Sequence, residues 1–134
     1  MKKQNIVLYI GHTYDLAYFY RLIPLINNNS TYEVISIVGK GRYFNSIKDY
    51  KCILSEYSNQ IIEIDLNDIP SYHYDFIRSL KNAKNLKSKI AHLDNKSSIY
   101  ISHDKSQFMA NILNSYFNKV ILIQSYEEPS LLTQ

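Results

Sequence analysis

The chain has 134 residues, of which 46% are hydrophobic and 20% are charged. This length suits one domain with a substantial core, and the composition excludes wholesale disorder. The net charge of +3 is small and the basic residues are scattered, so the sequence does not predict a nucleic-acid partner.

Cysteine content and hydropathy predict a cytoplasmic protein. The single cysteine, Cys52, excludes an internal disulfide and is typical of a reducing compartment. Because free cysteines are usually core residues, we expect it to be buried or half-buried. No apolar run is long enough to span a bilayer, since Arg21 interrupts the best candidate. The apolar segment after Met1 is too short for a signal peptide.

Five short apolar segments alternate with helical patterns along the chain. We predict strands at residues 6–10, 32–38, 61–64, 98–102 and 119–123. Such alternation is typical of an α/β fold, here a Rossmann-like three-layer sandwich with a five-stranded parallel sheet. Right-handed crossovers favour the strand order 3-2-1-4-5. Residues 1–134 are therefore predicted to form a single domain.

The first predicted helix follows a one-glycine turn. We expect Thr13 to cap it through its hydroxyl and Asp15 to favour the positive end of its dipole. Pro24 removes a backbone donor and should bend or restart the helix. Residues 42–57 are ambiguous and are read as one or two short helices with a loop.

Two more helices complete the pattern, one long and one near residues 108–116. The long helix is predicted to bury an apolar stripe and to expose its lysines; the stripe comprises Phe76, Leu80, Ala83, Leu86, Ile90 and Leu93. The chain stops soon after the fifth strand, with no covering helix. We therefore expect half of a larger or two-chain protein, with apolar residues such as Leu131 and Leu132 exposed or covered by a partner.

In the predicted strand order the first and fourth strands are neighbours, and the crossover direction reverses between them. The turns Gly11–Thr13 and Ser102–Asp104 would then meet at one crevice, with Ser125 and Glu127 beyond the fourth strand. His12, His103 and an aspartate are suited to general acid–base chemistry. The alternative is that each histidine only caps a helix.

Several specific sites are excluded by their missing residues. A dinucleotide site requires three glycines after the first strand, but Gly11 stands alone. The run Gly39–Arg42 has the wrong spacing for a phosphate-binding loop. The sequence holds no nucleophile elbow, paired-cysteine site or zinc-protease motif. No metal site is predicted, and the isolated His73 and His92 are expected at the surface.

The order of segments resembles the N-terminal, acceptor-side domain of GT-B glycosyltransferases. The resemblance covers most of the chain and rests on the Gly11–Thr13 turn, the run Arg21–Ile26 with its Pro-Leu step, the strand at Tyr32, and the ending Lys119–Ser130. It implies transfer of a sugar to a glycan or lipid-linked acceptor during cell-surface polysaccharide synthesis. The nucleotide-sugar donor would bind a second domain or partner chain, so this domain would hold no cofactor and would be inactive alone.

Within that resemblance, candidate roles follow from position. The candidate catalytic residues are His12, Asp104 and Glu127; the candidate substrate-binding residues are Gly11, Thr13, Tyr14, His103 and Ser125.

Three alternatives stay open. The chain also resembles the membrane-docking subunit of two-chain N-acetylglucosaminyltransferases. It could instead be a non-catalytic module binding a small anionic ligand, or a remnant domain without activity.

The lysines from Lys81 to Lys96 form either a solvated face or a surface attracted to anionic lipid at the cytoplasmic face of a membrane.

Overall fold

The computed structural model describes residues 4–11, 13–28, 31–40, 49–56, 58–65, 76–102 and 108–123. The strands are β1 (Gln4–Ile10), β2 (Tyr32–Lys40), β3 (Gln60–Asp65), β4 (Ile99–Ser102) and β5 (Lys119–Leu122). The helices are α1 (Thr13–Asn27), α2 (Tyr50–Leu54), α3 (Phe76–Lys89) and α4 (Phe108–Tyr116).

The five strands form one parallel sheet in the order β3-β2-β1-β4-β5. This confirms the predicted Rossmann-like α/β fold and its strand order. β1 lies at the centre, where Val7 pairs with Ile35 of β2 on one side and Tyr100 of β4 on the other. A strand buried in this way on both edges and both faces reads as an unbroken apolar run.

Successive residues of β1 pack into two cores on opposite faces of the sheet. Val7 and Tyr9 contribute to a core with Leu86 and Ile90 from α3 and the turn that follows it. Ile6, Leu8 and Ile10 contribute to the other core; its α1 residues are Leu16, Phe19 and Ile23. This is the period-2 alternation of a strand, and it places α1 and α3 on opposite sides of the sheet.

β2 is longer than the sequence predicts. The prediction ended it at Val38, but pairing continues through Gly39 with Ile64 and Lys40 with Asp65. Two hydrogen bonds join β2 to Asn59, the residue before β3. The Val34 N–H donates to Asn59 Oδ1 and the Asn59 N–H donates to the Val34 carbonyl, each at 2.8 Å. The partner strand, not the local sequence, therefore sets where β2 ends.

Helix α1 begins at Thr13, which is its first helical residue, whereas the prediction made Thr13 the cap; its side chain lies outside what the structure describes. Pro24 lies inside α1 without restarting it. The turn continues beyond the proline, because the Asn28 N–H donates to the Pro24 carbonyl at 3.1 Å. Burial of Ile23 at 1% exposure anchors this part of the helix.

The predicted apolar stripe of α3 is partly wrong. Leu80 is 53% exposed, while Ser79 and Asn82 are buried. The helix ends at Lys89, so the buried Ile90 and Leu93 belong to the turns that follow. The helix docks through a face centred on Leu86, and that rotation turns Leu80 toward solvent.

Two further expectations concern the surface. Cys52 is exposed, not buried as predicted, because α2 packs through the fully buried Leu54. The edge strand β5 exposes Ile121 and Leu122 by 50% and 52%, in line with the expected apolar edge; Leu131 and Leu132 lie outside the described residues. Within the described parts of the chain, no helix is long and apolar enough to cross a membrane.

Candidate functional site

β1 and β4 lie side by side in the sheet and mark the point where the connections change direction. β2 and β3 extend the sheet on one side of β1, and β4 and β5 extend it on the other. Because all five strands are parallel, Ile10 and Ser102 end their strands at the same edge. Open α/β sheets bind ligands in the crevice at this position.

The turn after β1 is fastened by a buried carboxylate. The Gly11 N–H donates to Asp15 Oδ2 at 2.9 Å, and Asp15 is only 2% exposed. Asp15 also lies in the first turn of α1, where the positive end of the helix dipole favours a negative charge. The Asp15 side chain thus joins the end of the central strand to the start of the helix. In the sequence, the turn between these two elements contains His12.

Tyr9 is the second-last residue of β1, and its ring packs in the core on the side of the sheet opposite α1. It is 5% exposed, and burial raises the pKa of its hydroxyl above the ordinary value of 10.0, with smaller contributions from the Asp15 carboxylate and from Tyr100. The phenol is therefore neutral at physiological pH and can donate or accept a hydrogen bond. It is not suited to act as a base.

We expect Tyr9 to make the chain less stable in alkali. Its raised pKa keeps the proton bound in the folded state after the unfolded chain has released it, so the free energy of unfolding should decrease as pH increases above about 10. Tyr9→Phe should reduce this slope by about one proton, or about 1.4 kcal/mol per pH unit. Urea unfolding between about pH 9 and pH 11 measures this slope.

Tyr20→Phe is the matched control, since that ring is 53% exposed and its surroundings change little on folding. Equal slopes for wild type and Tyr9→Phe would show that the Tyr9 hydroxyl is not held neutral by the fold.

The carboxyl end of β4 carries a buried hydroxyl without a hydrogen-bond partner among the described residues. Ser102 is 2% exposed and its Oγ is unsatisfied. The pairing of Val7 with Tyr100 and of Leu8 with Ile101 brings Ser102 to the level of Tyr9. By contrast, the buried Ser36 bonds Ser58 through their Oγ atoms at 2.7 Å. Ser98, at the opposite end of β4, is the other buried serine with an unsatisfied Oγ in the described chain.

The structure describes only part of the predicted site. Gly11 is at the carboxyl edge as predicted, and Thr13 and Tyr14 form the start of α1. The side chains of Thr13 and Tyr14 lie outside the described residues, together with His12, His103, Asp104, Ser125 and Glu127. Their predicted roles remain predictions.

Sequence reasoning missed the role of Tyr9 and assigned Asp15 only to the helix dipole. The available signal was the polar ring at the end of an aliphatic strand, followed six residues later by an acid in the first helical turn. Neither feature, however, predicts the burial of Tyr9 or the bond from the Gly11 N–H to Asp15, because both depend on how the layers of the fold pack.

A second group of charges lies at the outer edge of β3. Lys40 Nζ lies 3.7 Å from Asp65 and 4.0 Å from Glu63, and Lys51 Nζ lies 3.8 Å from Glu63. These residues line an open groove of about 720 Å³. Because the opposite charges there pair with one another, the arrangement is that of a surface salt-bridge network. In the described residues no cluster of three or more His, Cys, Asp or Glu side chains could hold a metal ion.

The sheet order and the reversal of the connections at β1 and β4 define a Rossmann-like α/β domain. Two solved structures share this fold. The C-terminal domain of a hydrogenase from Pyrococcus furiosus matches with a TM-score of 0.56 and 11% identity, over 91% of this chain and 92% of that one. A UDP-N-acetylglucosamine 2-epimerase matches with a TM-score of 0.57 and 13% identity, over 92% of this chain.

At these identities the likeness is one of fold. The chain spans 33% of the epimerase chain, so it corresponds to one part of that larger protein. No protein-family model matches the chain, and no curated protein sequence matches it.

Proposed function

We propose that this chain is the acceptor-side domain of a glycosyltransferase that builds a cell-surface glycan. The observation that carries the proposal is the turn after β1, where buried Asp15 accepts the Gly11 N–H at the carboxyl end of the central strand. In open α/β sheets a ligand binds beside the turn that follows such a strand. In the sequence this turn contains His12.

The proposed chemistry is transfer of a sugar from a nucleotide-sugar to an acceptor hydroxyl. His12 is the proposed general base that removes the hydroxyl proton, because imidazole titrates in the required range. Asp104 and Glu127 are the alternative bases, and His103 a supporting group. The residues proposed to contact the acceptor are the remaining candidates from the sequence: Gly11, Thr13, Tyr14 and Ser125.

The donor is proposed to bind a second domain or a partner chain, with residues 1–134 forming one domain. Two observations support this organisation. The epimerase, whose name includes a nucleotide-sugar, contains the fold as 33% of its chain. The edge strand β5 also leaves Ile121 and Leu122 about half exposed, as expected where another domain or subunit docks.

The same exposed edge supports a second candidate, a non-catalytic subunit that binds a ligand in the crevice and docks on a catalytic partner. The two candidates share the crevice and the partner. They differ in whether His12 is needed for turnover or only for binding.

Ligand titrations of the chain test which substrate the crevice takes. With methyl glycosides of N-acetylglucosamine and galactose as probes, we expect amide chemical-shift changes at Gly11, Asp15 and Ser102 in two-dimensional NMR spectra. UDP-N-acetylglucosamine should leave those amides unchanged, because its site is proposed to lie elsewhere. Shifts at these three amides with the nucleotide-sugar but with neither glycoside would contradict an acceptor-side role.

Ser102 offers a direct test of the crevice. Its unsatisfied Oγ is proposed to bond the acceptor, so Ser102→Ala should weaken the affinity for the binding glycoside by about fivefold, the worth of one hydrogen bond. Ser98→Ala is the matched control, since Ser98 is a second buried, unsatisfied serine, placed just before β4 and so at the opposite end of that strand from Ser102. Equal affinities for Ser102→Ala and wild type would exclude Ser102 from the site.

A further inference from the structure

The outward surface of α3 combines exposed aliphatic side chains with exposed lysines. Ile77 is 65% exposed and Leu80 is 53% exposed. At 100° per residue both lie on the side of the helix opposite the buried Leu86. The α3 outer face, as we name it, consists of Ile77, Leu80, Lys81, Lys84, Lys87 and Ser88, all of them exposed.

The segments that contain α3 and α4 carry a clear excess of basic residues. α3 has no acidic residue, and α4 has no charged residue at all. In residues 76–102 and 108–123 the one acidic residue is Asp94, against basic residues at positions 78, 81, 84, 87, 89, 96 and 119. The Asp94 carboxylate accepts hydrogen bonds from the Lys96 N–H at 3.0 Å and the Ser97 hydroxyl at 2.8 Å, so it is occupied locally.

Shallow grooves continue the surface from α3 toward α4. One, of about 520 Å³, is lined by Leu80, Ala83, Lys84, Lys87 and Ser88. The other, of about 530 Å³, is lined by Lys87, Asn95, Ile112, Ser115 and Tyr116. Lys87 borders both, so a positive charge stands between two open, partly apolar depressions.

We propose that the α3 outer face binds the surface of an anionic lipid membrane. Lipid phosphates complement the excess of lysines, and the long lysine stems allow their ammonium groups to stay at headgroup level while apolar side chains insert. Ile77 and Leu80 lie in the first turns of α3, so the N-terminal end of the helix enters the interface more deeply than its lysine-rich end. This proposal does not depend on the proposed glycosyltransferase activity.

A folded protein partner fits this surface less well. A stable protein interface needs an apolar centre that is large and closely complementary in shape. Here the apolar part is only two neighbouring aliphatic side chains, Ile77 and Leu80, and lysines follow them along the helix. A fluid lipid surface requires no fixed complementarity, and it accepts this pattern.

Vesicle co-sedimentation of the 134-residue chain tests the proposal. We expect the chain to partition onto vesicles of phosphatidylcholine with about 30% phosphatidylglycerol at least tenfold more strongly than onto phosphatidylcholine alone. Raising the salt concentration to about 1 M should abolish most of the difference, because screening then acts within about 3 Å. Equal partitioning onto both vesicles, or none onto either, overturns the proposal; in the second case an acidic protein is the occupant to test next.

Variants identify the surface. Lys84→Gln together with Lys87→Gln should reduce partitioning by about 25-fold, or about fivefold for each lysine. Leu80→Ser should reduce it independently of salt. Leu25→Ser is the matched control, because Leu25 is 71% exposed on α1, which lies on the opposite side of the sheet. Thermal unfolding should first show that all variants keep the wild-type midpoint. The proposal is then overturned if Leu25→Ser lowers binding as much as Leu80→Ser.

Discussion

Under the proposed glycosyltransferase function, replacing His12 with alanine is expected to lower turnover by about a hundredfold or more, measured with the proposed second domain or partner chain present. A positioned general base contributes a factor of this size, because it accepts the proton of the attacking hydroxyl in the transition state. The thermal midpoint should change little. The measurement is the release of nucleotide from a nucleotide-sugar in the presence of the acceptor.

His92→Ala is the matched control for this experiment. His92 is exposed, and its Nε2 lies 3.2 Å from Nε2 of Gln60, the first residue of β3, which puts it at the opposite edge of the sheet. Its replacement should leave turnover unchanged. If His12→Ala keeps its turnover but loses stability, His12 is a structural cap, and Asp104 and Glu127 become the candidates to replace next.

The second large effect is expected at Asp15. Asp15→Ala removes the carboxylate that accepts the Gly11 N–H at 2.9 Å and lies at the start of α1. A hydrogen bond to a charged group contributes about 1.5–3 kcal/mol, so we expect the free energy of unfolding to fall by about 2–3 kcal/mol. Asp15→Asn, which keeps an acceptor oxygen but loses the charge, should lose roughly half as much. Urea unfolding at neutral pH gives both values.

Asp49→Ala provides the comparison. Asp49 precedes α2, is exposed and makes no capping hydrogen bond through its side chain, so its loss should cost less than about 0.5 kcal/mol. Similar losses for Asp15→Ala and Asp49→Ala would show that the Gly11–Asp15 bond contributes little, and with it the fixed turn on which the proposed site depends.

The sheet could be predicted because its information is local and repeated. The apolar run before Gly11 reads as a strand buried on both faces, and the strand–helix alternation then makes parallel pairing and right-handed crossovers the natural solution. Those rules were sufficient for the order β3-β2-β1-β4-β5. The expectation of a ligand site at the carboxyl ends of β1 and β4 followed from that order without reference to any side chain, and it remains a prediction.

What the sequence could not determine is how each element is rotated and what meets across layers. α3 contains apolar residues on several sides of the helix. Only its docking on the sheet determined that Leu86 is buried while Leu80 is 53% exposed. The extension of β2 to Lys40 required pairing with Asp65 of β3.

The same distinction applies at the candidate site. A glycine and an acid four residues later are visible in the sequence, but the bond between Gly11 and Asp15 forms only once α1 folds back beside β1. The raised pKa of Tyr9 likewise needs the burial that the packed layers supply. Hydrophobic periodicity determines which elements form because it acts along the chain, whereas burial and electrostatics act between residues that only the tertiary structure brings together.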